Sequence, residues 1–304
     1  MPSALARLRD SDIWWSFTRS PVTVVSAIVA LVCVVTSVAA PLIAPHNPFD
    51  LATLNLIDAF KPPAWIEEGE AGYLLGTDDQ GRDVLSAILY GARISLLVGF
   101  SATLFAAFVG VSVGLLAGFI GGTVDAVLMR IADIQLTFPS ILVALLVDGI
   151  VRAAVPREVH DQIALFVVIV AIGISEWPKF ARPVRGSTMV ERNKEYVLAA
   201  RVIGVSSFRI MRGHVLPNVL GPVLVIATLN LGLAILSEAT LSFLGVGVPP
   251  TQPSLGTLIR IGNDFLFSGE WWITVFPGIS LVIMVLSVNL LGDWLRDALN
   301  PRLR

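Results

Sequence analysis

Charge is what this sequence has least of. Of 304 residues only 14% are Asp, Glu, Lys or Arg, while 55% are apolar; an ordinary soluble domain carries roughly 25% charged residues. Together with a mean hydropathy of +0.79, this argues against a water-soluble fold and makes lipid the expected solvent. Cys33 is the single cysteine, which excludes an intrachain disulfide, a cysteine zinc cluster and a CxxC redox pair. His46, His160 and His214 show no HExxH spacing, so zinc peptidase chemistry is not expected. A net charge of -2 is not that of a nucleic-acid binder. There is no G-x-x-x-x-G-K-[ST], no G-x-S-x-G elbow and no facing pair of acids inside apolar runs, leaving the chain without an evident catalytic engine. No catalytic residue, metal site or cofactor bound by this chain is expected. Any uphill work must draw on a partner or an ion gradient.

What the sequence has is long apolar runs. Four of them, 22–43, 94–120, 219–237 and 271–292, are uncharged and long enough to cross about 30 Å of hydrocarbon at about 1.5 Å per helical residue. Two more, 134–147 and 163–175, are shorter. They read as further spans if Asp148, Asp161 and Glu176 sit at the interfaces, with a polar turn around Pro156 between them. The expected fold is all-α and polytopic, with about six spans. The first run follows 20 residues and is too long for a cleavable signal, so it reads as a retained anchor. Of 21 Lys and Arg, three fall in 1–20, one in 121–133, eight in 178–216 and three in 293–304, placing 15 on one side. The opposite side includes the acidic loop 44–93 and the loop 246–270. By the positive-inside rule both termini and the 178–216 loop are expected to be cytoplasmic, even if the two short runs form a hairpin that never crosses. The expected organisation is a cytoplasmic segment 1–20, a membrane domain 21–304 and a cytoplasmic tail 293–304.

The 178–216 loop is long for a connector. Residues 195–203 carry apolar positions at 197, 198, 202 and 203 and read as a helix, stopped by Gly204. Ser206 or Ser207 is placed to cap a second helix, 208–215, ended by Pro217. Two short helices in an L form a knob fit for another protein. A basic hairpin lying on anionic lipid headgroups is the competing reading. In the run 94–120, Ala106, Gly110, Gly114 and Gly118 recur every four residues and make a smooth ridge for helix packing, either within the chain or against a partner. Asn230 and Glu238 are the polar residues in or bounding the fifth run, and intramembrane polar groups are candidates for a translocation path. Glu238 can equally serve as scaffold; Asp148 and Glu176 read as structural. Asp78, Asp79 and Asp83 crowd around Arg82 without calcium-loop spacing, so this turn is expected to cap a following helix, 83–90.

Several motifs resemble a known family. Ala199-Ala200, then Gly204, then Leu216-Pro217 resemble the EAA loop of permease subunits of bacterial binding-protein-dependent ABC importers. Leu75-Gly76-Thr77-Asp78, Gly81-Arg82-Asp83-Val84-Leu85-Ser86 and Tyr90-Gly91-Ala92-Arg93 resemble the dipeptide/oligopeptide/nickel branch. So do Gly121-Gly122 with Asp125, Met129-Arg130, Asp133, Phe138-Pro139, and the ending from Asn289 through Pro301-Arg302. Pro62-Pro63-Ala64-Trp65 is most similar to the C-type subunit of dipeptide permeases. Two positions depart: Leu198 stands where the motif has Glu, and His214 where it has an apolar residue. The resemblance implies a type I ABC importer permease fold and the EAA loop as a coupling element. Ala199, Ala200, Gly204, Val205, Ser206, Phe208, Arg209, Arg212 and Pro217 would form that element against a cytoplasmic ATPase. The implied partners are a homologous permease subunit, ABC ATPase subunits that bind ATP and Mg, a periplasmic solute-binding protein, membrane lipid and a dipeptide or short-peptide substrate. Nickel, glutathione or oligopeptide cargo belongs to the same branch. An ion-coupled secondary transporter or a membrane scaffold is the reading from another class, although a transporter of that kind carries acids at mid-membrane.

Overall fold

The structure, a computed structural model, describes residues 12–50 and 54–298. The first eleven positions of the 1–20 segment and the Pro301-Arg302 end of the closing motif lie outside the described residues. After an amphipathic helix α1 (Asp12–Arg19), Ser20 accepts from the backbone N–H of Thr23 and Pro21 opens α2, Pro21–Val38. This is the cap and N1-proline pattern of a helix start. The run 22–43 is not one helix, because the chain breaks at Ala39 before the short α3, Ala40–Ile43. Residues 54–83 form an ordered hydrogen-bonded loop.

Asp83 then caps α4, Val84–Ile120, by accepting from Ser86 N at 2.9 Å. The expected helix 83–90 and span 94–120 are therefore a single element, and the loop expected at 44–93 ends at Asp83. Nothing stops the helix at Gly91 because Leu255 and Leu258 pack against it, replacing water with apolar contact. Gly121, at φ +75°, ends α4; a side chain would be strained there.

The run 134–147 is not a straight span. It straddles α5, Gly122–Leu136, and α6, Ser140–Ala154, which meet at 95°. Pro139 disfavours helical geometry at Phe138 and fixes the break there. The run 163–175 lies within α7, Arg157–Glu191, which is far longer than expected. Its basic residues do not end the helix: Lys179, Arg182 and Arg185 pair with Glu176, Asp133 and Asp125. The loop expected to start at 178 thus starts after Glu191. Two short helices follow, α8 (Glu195–Val202) and α9 (Ser207–Ile210). A π-turn, Met211–Val215, joins α9 directly to α10, Leu216–Phe243. Pro217 does not end a helix, contrary to the sequence expectation. It occupies the first turn of α10, where its missing N–H costs little, and the widened turn before it absorbs the misfit. Residues 246–270, expected as loop, contain α11, Leu255–Asn263, capped by Ser254. The last helix α12, Trp272–Ala298, runs past Gly292 into the expected tail.

Packing pairs fix the direction of each helix. Gly110 lies against Phe180, Gly114 against Val184 and Gly118 against Thr188, so α4 and α7 run parallel. The chain between them must therefore recross, and the bent α5–α6 pair does so, which corrects the hairpin alternative. Gly99 against Ile235 makes α10 antiparallel to α4, and Gly232 against Asn289 makes α12 antiparallel to α10. Phe17 of α1, just ahead of α2, packs against Trp294 near the end of α12, and His46 N donates to Ser86 Oγ at the other face. Six crossings result, with both ends of the described chain on one face.

Candidate functional site

On that face the chain between α7 and α10 forms a knob. Val205 N donates to Ala200 O and Gly204 N to Arg201 O, both at 3.0 Å, the paired bonds that close a helix on a left-handed residue. Gly204 supplies that residue at φ +83°. Val197, Ala200, Ile210, Val215 and Val219 are buried beneath the turn, joined by Leu115, Phe119 and Phe180 of α4 and α7. Above them, Val202 is 87% and Ile203 78% exposed, and Phe208 is also exposed. Ala199, Gly204, Ser206, Arg209, Arg212 and Pro217 are exposed as well, Val205 is half-buried, and Ala200 is a foundation residue. Aliphatic side chains so bare make this tip a candidate docking patch.

The knob is tied to three spanning helices by residues the sequence did not single out. Arg192 Nη1 donates to Gly118 O at 2.7 Å at the end of α4, and the Arg201 guanidinium lies 5.4 Å from the Phe119 ring centroid. Tyr196 donates its hydroxyl proton to Glu191 Oε1 of α7. Asn218 Nδ2 of α10 donates to Tyr196 Oη at 3.1 Å and to His214 O at 2.6 Å. Burial, followed by the hydrogen bond to Glu191 and then its negative charge, pushes the Tyr196 phenol up to about 12. The i, i+5 spacing of Glu191 and Tyr196 is not a helical pair, and only the break at 192–194 brings them together.

Gly110, Gly114 and Gly118 face α7. A Cβ on Gly110 would lie 2.5 Å from Phe180 Cβ, on Gly114 2.9 Å from Val184 Cβ and on Gly118 2.7 Å from Thr188 Cβ. The ridge is thus filled from within the chain. Toward the opposite face, Glu238 is fully buried. Its Oε2 accepts from Ser95 Oγ at 2.7 Å and its Oε1 from Ser242 Oγ at 2.6 Å. Those serines accept in turn from Leu255 N and Val248 N. Glu238 therefore ties α4, α10 and the start of α11 together. Asn230 is also buried, and neither its amide oxygen nor its nitrogen has a hydrogen-bond partner. Asp148 and Glu176 are buried. Asp148 pairs with Arg152 at 2.5 Å and with His160 at 3.3 Å.

At the face opposite the knob, Asp78 Oδ1 accepts from Gln80 N and Arg82 N, and Asp78 Oδ2 holds Arg82 Nε at 2.6 Å. Trp272 Nε1 of α12 donates to Thr77 O at 3.0 Å. The acidic turn is a structural rivet that starts α4 and binds the loop to α12. Lys61 sits 2.5 Å from Asp58 and 2.7 Å from Glu70; the ammonium holds the Asp58 carboxyl below its ordinary value.

Six crossings among the described residues, with the bent pair taken as one, an exposed apolar knob at one face and an ordered loop cap at the other define a multi-pass membrane protein. The description of a binding-protein-dependent transport system inner membrane component matches residues 110–304. That of the N-terminal TM domain of oligopeptide transport permease C matches residues 11–63. The chain belongs to the family of inner membrane components of binding-protein-dependent transport systems. The dipeptide transport system permease protein DppC of Escherichia coli (strain K12) is 41% identical over 96% of this chain and 93% of its own length. The DppC of Haemophilus influenzae is 38% identical over 96% of this chain and 95% of its own. The di/tripeptide permease DppC of Pseudomonas aeruginosa is 38% identical over 96% and 92%. In fold the chain is similar to one from the inward-facing MetNI methionine ABC transporter, with a TM-score of 0.55 at 22% identity. That match covers 70% of this chain and 96% of the other.

Proposed function

We propose that this chain is the C-type permease subunit of an ATP-driven importer that moves dipeptides or short peptides across the bacterial inner membrane. It pairs with a homologous permease to enclose the path, takes substrate from a periplasmic binding protein, and receives work from cytoplasmic ATPase subunits that bind ATP and Mg. Both termini and the knob are cytoplasmic, and the 54–83 loop is periplasmic. The chain itself hydrolyses nothing.

The observation that carries this reading is the apolar tip, Val202, Ile203 and Phe208, bare on a knob whose foundation is continuous with three spanning helices. A tip that enters a groove in an ATPase can bias the spans only if its contacts differ between the ATPase's open and closed states. The tie to α4, α7 and α10 gives such a difference a mechanical route. Identity with peptide permeases along almost the whole chain supports the cargo.

The test is purification of the tagged chain with its native partners from its own membranes, followed by reconstitution into proteoliposomes. ATP-dependent uptake of labelled dipeptide is expected, stimulated by the binding protein and abolished when the ATPase subunits are stripped off. Uptake driven by a proton or sodium gradient without ATP would overturn the reading.

A further inference from the structure

Tyr196 brings three elements to one oxygen. Its hydroxyl donates to Glu191 Oε1, on the last residue of α7, and accepts from Asn218 Nδ2, in the first turn of α10, while its own backbone belongs to α8 of the knob. Each partner is held by a second bond. Glu191 Oε2 pairs with Lys194 Nζ at 2.8 Å, and Asn218 Nδ2 reaches His214 O in the π-turn. The Tyr196 ring lies nearly parallel to the His214 imidazole, at 21° and 6.3 Å between centroids. Arg192 and Arg201 hold the knob to the end of α4, while the contacts of Val197, Ala200, Ile210, Val215 and Val219 beneath it are apolar, and apolar contacts are non-directional and permit sliding. Hydrogen bonds weaken steeply when the donor angle opens. Of these foundation contacts, the polar bonds at Tyr196 are the ones that specify how the knob is turned relative to both spans.

We propose that Tyr196, with Glu191 and Asn218, is the positioning node that converts movement of the knob into joint movement of α7 and α10. The inference rests on the transport reading above and deepens it, because the node lies at the root of the knob, where α7 and α10 meet α8, and not in its apolar tip. Without the hydroxyl, the tip stays seated but its rotation is lost as slip between α8 and the spans.

The experiment uses the complete reconstituted complex and reads peptide translocated per ATP hydrolysed, alongside the amount of ATPase subunit that co-purifies. Tyr196→Phe is expected to lower that ratio by about fivefold or more, the low end of an allosteric coupling, with ATPase subunits still bound. Glu191→Ala should do the same. Glu191→Gln, which keeps an oxygen acceptor, should restore most of the ratio. The double variant Tyr196→Phe/Glu191→Ala should be no worse than either single change, since both remove one shared bond. A wild-type ratio in Tyr196→Phe, fully multiplicative losses in the double variant, or loss of transport only in step with loss of bound ATPase would each overturn the node. A wild-type complex that takes up no peptide overturns the transport reading instead.

Discussion

Gly204 sits at φ +83°, and a β-carbon there would meet no neighbouring atom. The demand for glycine is therefore conformational and not steric. Alanine should cost about 1 kcal/mol. Proline should do more harm, because it also removes the N–H that bonds Arg201 O and forces φ to about -65°. Gly204→Pro is expected to abolish peptide-stimulated ATPase activity and weaken ATPase co-purification while membrane insertion persists; wild-type transport would show that the knob is not the coupling element. A second residue-scale test concerns Asp58. Its carboxyl is depressed by the Lys61 ammonium, so the folded loop gains stability above the ordinary Asp value of 3.8 and loses it as pH falls through the lower folded value. Acid-protease nicking of the 54–83 segment should rise in that window, and Asp58→Asn should flatten the rise. Gly204 and Asp83 were legible in sequence because a left-handed stop and an N-cap are local requirements. Tyr196 and Glu191 were not, since their meeting depends on a chain break and a packed neighbour.

Helices α4 and α7 meet along a glycine seam whose spacing was visible in sequence but whose partner was not: a four-residue repeat says that something comes close, without saying what. Two substitutions separate close approach from mere helix propensity. Gly114→Leu inserts a side chain where Val184 Cβ is already 2.9 Å from an ideal Cβ, and overpacking of this kind costs about 1–3 kcal/mol or more. Gly221→Leu in α10 meets open space. The first should lower thermal stability in detergent by several degrees and the second should leave it unchanged or raise it; equal tolerance would place α7 elsewhere. Element ends were the least legible feature. Lys179, Arg182 and Arg185 look like loop residues until Glu176, Asp133 and Asp125 are seen beside them, and those partners come mostly from another helix. Likewise α11 hid in 246–270, being too short and too amphipathic to register as an apolar run.

For the whole molecule, the alternation of helix directions puts both ends of the described chain and the knob on one face, the side to which the sequence count assigns 15 of 21 basic residues. In a Cys33→Ser background, single cysteines at Glu68 and Gln252, both exposed, should react with an impermeant thiol reagent in intact cells. Cysteines at Lys194 and Asp297 should react only after permeabilisation; labelling of 194 from outside would invert the arrangement. The crossing number was legible because hydrocarbon thickness sets a length that apolar runs must meet. The 95° elbow was not, since a bend between two apolar helices leaves composition unchanged. The π-turn at Met211–Val215 bears on the same architecture. Leu216 N reaches back five residues to Met211 O, so the helix carries one residue more than regular winding needs, and each residue of an α-helix advances the azimuth by about 100°. Because the surplus is absorbed within that one turn, deleting Gly213 should restore regular winding and leave Phe208 near its present azimuth; one further inserted residue has no such slack and should swing Phe208 and the turn beyond it by about that angle around the α10 axis, like a key cut on the wrong edge. The lengthened chain should still insert in the membrane while turning a different side of the knob outward.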